Sequence, residues 1–156
     1  RRFVMIRGDK NIESGIQRTD SFSKVIEEKE EGKILANFTG ILGHDEGRNA
    51  MADIIKIDPE LVICSSDLTA LGIIDGARID YNLEIPRDMA VIGFGDNPIS
   101  SWGMNRLTTV QLPYEKLIDE SIRCLIRRIN NPELPPKNIE LLSDIITRDT
   151  TRKLMQ

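Results

Sequence analysis

Four apolar runs in this chain are followed, within a few positions, by residues able to hold a small polar molecule. Ser14 and Arg18 come after the first run, Phe38 and Thr39 after the second, Ser66 and Asp67 after the third, and Gly95, Asp96 and Asn97 after the fourth. An arginine fork donates two parallel hydrogen bonds to adjacent hydroxyls or to a carboxylate. An aromatic ring packs on the apolar C–H face of a sugar. Arg18, Phe38, Ser66, Asp67, Gly95 and Asp96 therefore form the candidate site, and its chemistry suits a polyhydroxylated ligand. Each side chain also has a plainer role: Phe38 as a core aromatic at a strand end, Asp67 as a helix cap, Asp96 as a turn former. Arg18 falls in the first turns of a helix, where a cation opposes the helix dipole, and this favours a purpose for it.

Signals for catalysis are weak. The single histidine, His44, lies in a Gly-rich stretch with no cysteine partner, so neither a metal site nor a nucleophile–base pair is supported, and no cofactor is expected. Gly93-Phe94-Gly95 begins like a dinucleotide fingerprint, but Pro98 occupies the place of the third glycine. Asp67 and Asp96 as an acid–base pair define an enzyme alternative. Cys64, inside an apolar strand, and Cys124, on an amphipathic helix, read as reduced thiols. The sequon Asn37-Phe38-Thr39 matters only in a secretory compartment.

The elements that position these residues follow from periodicity. RRFVMIRG, ILANF, LVICS, MAVIGF, LTTVQL and IELLSDIITRD read as strands. Helices fall between them: one with Phe22, Val25 and Ile26 on a face and the charged stretch EEKEE before Gly32, one with Ala50, Met51, Ile54 and Ile55, and one burying Leu68, Leu71, Ile74 and Ala77. A long helix follows Pro113, with Leu117, Ile118, Ile122, Leu125, Ile126 and Ile129 along one face. Strand–helix alternation predicts an α/β fold, a doubly wound, mostly parallel sheet with right-handed crossovers. In such sheets ligands bind beyond the carboxyl ends of the strands, which is where the candidate residues lie.

The chain has 156 residues, 40% of them apolar, and a net charge of −4. That is enough for one real core, and the acidic balance argues against a direct grip on nucleic acid. No apolar run approaches the roughly 20 residues of a membrane span, and no signal peptide is present, so no membrane partner is expected. The chain opens on Arg1-Arg2 directly before a strand, as expected of a piece of something longer.

Six motifs in order resemble the lactose-repressor (LacI) family of bacterial transcription regulators. They are Ser14-x-x-x-Arg18-x-x-x-Phe22, Ala36-Asn37-Phe38-Thr39, Ser66-Asp67-x-x-Ala70-x-Gly72, the run Ile85-Pro86 to Pro98 containing GFGDNP, LTTVQLP from Leu107 to Pro113, and Ile146-Thr147-Arg148-Asp149-Thr150. The resemblance implies a periplasmic-binding-protein-like sensor of two lobes, of which this chain is the latter part. Residues 1–112 are expected to form mainly the C-terminal lobe, 113–142 to cross to an N-terminal lobe outside this chain, and 143–156 to close the structure. It further implies a small-molecule effector, a carbohydrate, and a homodimer. Operator DNA would be bound only through a headpiece that precedes this chain, and the location would be cytoplasmic. Arg18 matches the effector-gripping arginine, Phe38 the stacking aromatic, and Leu71 and Trp102 part of the subunit interface. Ser66 stands where the pattern has Asn, and Gly95 where it has the first Asp of G-F-D-D. The apolar face of the long helix, without its lobe, is expected to drive oligomerisation or domain exchange. A secreted sugar-binding receptor of a transporter shares the fold and is the alternative reading.

Overall fold

The computed structural model describes residues 1–9, 11–29 and 32–152. Six strands form one sheet: β1 (Arg2–Ile6), β2 (Lys33–Phe38), β3 (Leu61–Cys64), β4 (Ala90–Gly95), β5 (Thr108–Gln111) and β6 (Asp144–Ile146). Their order is β2-β1-β3-β4-β5-β6, with the first five parallel and β6 antiparallel on the edge. The helices are α1 (Glu13–Lys29), α2 (His44–Ile57), α3 (Asp67–Asp75) and α4 (Tyr114–Asn130). The chain leaves β1 toward β2 on one side and later returns to β3 on the other. That reversal makes the gap between the ends of β1 and β3 a topological switch point.

Strand alternation divides the core in two. Val4, Ile6, Val62, Cys64 and Val91 face α2 and α3, where Met51, Ile54, Leu71, Ile73 and Ile74 complete a buried cluster. Each such side chain contributes about 1.5–3 kcal/mol by leaving water. Met5 and Ile63, one residue out of phase, face α1, whose Ser23 hydroxyl lies 3.4 Å from the Met5 sulfur. The α2–α3 contact is close because Gly72 presents no side chain: a Cβ there would stand 1.9 Å from the His44 carbonyl oxygen.

Several expectations are corrected. Leu71 is only 4% exposed and belongs to the core cluster, so within this chain it is not a surface residue available to a partner. Leu68, expected to be buried, is exposed. The helical spacing was sound, but α3 packs through Leu71, Ile73 and Ile74 and turns its first-turn leucine outward. Beyond Asp75 the helix widens into a π-type stretch, Gly76–Asp80. The last strand is three residues long rather than eleven, because only Asp144–Ile146 pairs with β5. The helix expected to stop at Gly32 runs at least to Lys29; Glu30 and Glu31 lie outside the described residues. No residue of α4 is buried, and its whole apolar stripe is exposed. No helix among the described residues is long and apolar enough to cross a membrane.

Candidate effector site

Arg18 projects from α1 toward the carboxyl ends of the strands. Its Nη1 donates to the Ser65 carbonyl oxygen just past β3 at 3.2 Å. Its guanidinium lies over the Phe94 ring, 4.3 Å from the centroid. A cation over an aromatic face is attracted by the ring quadrupole, so Phe94 helps hold the guanidinium in place. Two cavities meet at this arginine. One, of about 150 Å³, sits at the switch point, with Gly8 and Asp9 from the end of β1, Ile41 and Leu42 from beyond β2, and Ser65 and Ser66 beyond β3. The other, of about 810 Å³, opens between α1 and the ends of β4 and β5, along Phe22, Phe94, Val110 and Leu142. Together they match the size and mixed lining of a small-molecule site.

The other candidate residues divide by what already engages them. Ser66 caps α3: its hydroxyl accepts from the Thr69 N–H at 3.3 Å and bonds the Thr69 hydroxyl at 2.9 Å, while it still lines the smaller cavity. Asp67 is fully buried. One carboxylate oxygen accepts from the Asn97 N–H at 2.7 Å and its side-chain amide at 3.3 Å, and the other accepts from the Thr109 hydroxyl. It therefore ties the start of α3 to the loop after β4 and to β5, and neither cavity reaches it. Asp96 pairs with Arg148 at 2.6 Å and accepts from Gln111 Nε2 at 2.8 Å. The two charged side chains of that pair are only 12% and 13% exposed. Gly95 has φ +135, a region in which a side chain is strained, and its missing Cβ would meet Asn97 and Asp67. Glycine at this position serves the backbone of the Asp67 network.

Phe38 is not brought to Arg18. Ile6 pairs with Phe38 across β1 and β2, and Ile6 faces α2 and α3. Phe38 therefore packs on the core cluster on that face of the sheet. The ring beside Arg18 is Phe94, whose partner Val110 lies on the α1 face. The sequence reading missed Phe94 as this partner, along with Thr109, Gln111 and Arg148. Arg148 stood in view within the Ile146–Thr150 motif, but nothing in the sequence linked it to Asp96. Trp102, in contrast to Leu71, is 62% exposed. It sits on a turn joined to the π-type stretch by the Arg78 guanidinium, which donates to the Met104 carbonyl at 3.1 Å.

Burial pushes the Cys64 thiol far above its ordinary range, which makes it an unreactive core residue. His44, at the start of α2, bonds Asp75 through Nε2 at 2.8 Å and Asp45 through Nδ1 at 3.2 Å. The Asp75 bond, then the Asp45 bond, raises its pKa above 6.5. Among the described residues no cluster of His, Cys, Asp or Glu has the makings of a metal site.

Residues 1–151 match the family model of the periplasmic binding protein-like domain. The ribose operon repressor of Halalkalibacterium halodurans is 28% identical over 149 residues, covering 94% of this chain and 44% of that protein. Among solved structures, the Lac repressor bound to ONPG in the repressed state aligns with a TM-score of 0.87 at 20% identity, covering 96% of this chain and 45% of that one. The complex of the transcriptional regulator CelR with cellobiose aligns at 0.85 and 23%, covering 96% and 46%. The chain thus spans less than half the length of each.

Proposed function

We propose that this chain, a member of the periplasmic binding protein-like domain family, is the effector-sensing region of a LacI-type DNA-binding transcriptional repressor whose effector is a carbohydrate, a reading supported by its relatives and structural neighbours. The observation that carries this reading is Arg18, held over Phe94 at the switch-point edge and lining two cavities. A ribose operon repressor among its relatives and a cellobiose-bound regulator among its structural neighbours support the ligand class. Arg18 and Ser66 touch the effector. Asp67 and Asp96 hold the loops that form the pocket, and Gly95 lets the chain turn between them.

The mechanism is population shift, and no bond is made or broken. Residues 113–142 cross to a second lobe, whose partner surface is the exposed stripe of α4. A ligand between the lobes favours one of their arrangements by its differential affinity. In a homodimer this changes the spacing of two headpieces on an operator. Trp102 on its exposed turn is part of the dimer surface. The protein works in the cytoplasm and meets DNA only through a headpiece outside these 156 residues.

A thermal-shift screen of sugars on the full-length protein tests the proposal, because a ligand bound only by the folded state raises its stability. The expected result is a sugar that raises the melting temperature and is recovered unchanged. Turnover of the sugar would refute the sensing role and revive the enzyme alternative.

A further inference from the structure

Building on the proposed two-lobe sensing role, we infer that Asp96 is a positioning residue that fastens the loop after β4 to both segments by which the chain passes to and from the second lobe. The chain leaves the sheet after Gln111, the last residue of β5, and returns at Asp144, the first of β6. These two residues are antiparallel register partners, so the outgoing and returning segments lie side by side. Asp96 reaches both segments. Its Oδ2 accepts from Gln111 Nε2 at 2.8 Å, and its Oδ1 accepts from Arg148 Nη2 at 2.6 Å. Arg148 is itself fixed: its Nη1 donates to the Leu107 carbonyl at 2.7 Å, and its backbone N–H donates to the Thr108 hydroxyl at 2.9 Å. All of these contacts lie within the described lobe, and none depends on what the second lobe contributes.

The backbone gives the reason for a carboxylate at this place. Gly95 has φ +135 and Asp96 has φ +55, two consecutive residues at positive φ. A residue with a side chain is uncommon there, and such a conformation persists where its surroundings over-determine it. At Asp96 the carboxylate does this, because both of its oxygens are held and one of the bonds joins two charges in a largely buried site. The turn aims the carboxylate at the crossing segments, and Asp96 lines neither cavity at Arg18. Two residues earlier on the same strand, Phe94 lies under the Arg18 guanidinium, and Gly95 is the register partner of Gln111. A shift of the pocket wall at Phe94 is thereby passed through Asp96 to the two segments that carry the second lobe.

Hydrogen exchange of the unliganded full-length protein, read by mass spectrometry, tests this. Gln111→Leu removes one donor from an exposed position. Exchange over residues 95–98, 108–112 and 144–148 should rise together by roughly 5-fold, while α2, α3 and the urea midpoint keep their wild-type values. Asp96→Asn, which tolerates the positive φ but loses the charge, should raise exchange over the same three segments by roughly 10-fold. Gln111→Lys, which keeps a donor for the carboxylate, should hold wild-type exchange. Asp149→Asn breaks the exposed Arg106–Asp149 pair close to the same returning segment and should leave 95–98 unchanged. If exchange in Gln111→Leu rises only within 95–98, or equally over the whole chain, the role is local or merely structural and the inference is overturned. It is equally overturned if neither Gln111→Leu nor Asp96→Asn raises exchange in the crossing segments while α4 is protected in wild type. An unpacked helix of this length is marginal in water, so an unprotected α4 in wild type would instead overturn the two-lobe reading itself.

Discussion

Asp67 offers the sharpest separation between a residue that builds the pocket and one that fills it. Its carboxylate is fully buried and accepts the Asn97 N–H, the Asn97 amide and the Thr109 hydroxyl. Hydrogen bonds to a charged group are worth about 1.5–3 kcal/mol each, and a buried donor left without an acceptor costs about 1–3 kcal/mol. Asp67→Asn keeps one acceptor oxygen, which can serve Asn97 or Thr109 but not both, so about 2 kcal/mol should be lost. Asp67→Ala strands all three donors, and about 4 kcal/mol should be lost. Against a total stability of roughly 5–15 kcal/mol, the second change brings the protein near its threshold. Urea unfolding of the full-length protein reads the series through the midpoint at constant slope. The graded order, Asn milder than Ala, is the expected outcome. If Asp67→Ala stayed within about 0.5 kcal/mol of the parent yet lost its response to sugar, the carboxylate would belong to the ligand and the structural assignment would be wrong.

Other outcomes follow from the same geometry. Arg148→Met leaves Asp96 without its 2.6 Å partner in a largely buried site; about 3 kcal/mol of stability should be lost, and a urea midpoint unchanged from the parent would contradict the pairing. The single histidine should titrate above its ordinary 6.5 because Asp75 and Asp45 favour the imidazolium. A raised folded value means that His44 stabilises the fold fully below pH 6.5 and loses this contribution as pH rises through the raised value. Asp75→Asn should return the NMR midpoint toward 6.5, and a wild-type midpoint below 6.5 would refute the bond. Gly72→Ala drives a methyl group against the His44 carbonyl and should cost about 3 kcal/mol by separating α2 from α3; a thermal melt equal to wild type would show that the helices are not so close.

What the sequence made legible, and what it did not, has a physical basis. The parallel strands announced themselves because strands covered on both faces read as short apolar runs, and Arg18, Ser66, Asp67 and Asp96 fell at their carboxyl ends as anticipated. Which face a strand-end residue serves was not legible. Phe38 and Phe94 both close apolar runs, but their faces depend on register against β1 and β5, a property of pairing and not of either strand alone. Leu68 posed a similar problem on α3, where spacing found the buried Leu71, Ile74 and Ala77 but not the outward turn of the first leucine. The engagement of Asp67 and Asp96 depended on Thr109, Gln111 and Arg148, which lie 15 to 52 residues away in sequence. The edge strand β6 was overestimated because its flanking leucines are apolar without being paired.

In the proposed function, Arg18 couples a small molecule to DNA binding. Fluorescence anisotropy of the full-length protein on its operator, with and without the sugar found in the screen, tests it most directly when wild type is set beside Arg18→Ala. Wild type should change its operator affinity on adding the sugar, while Arg18→Ala should bind the operator normally and ignore the sugar. A normal sugar response by Arg18→Ala would contradict it.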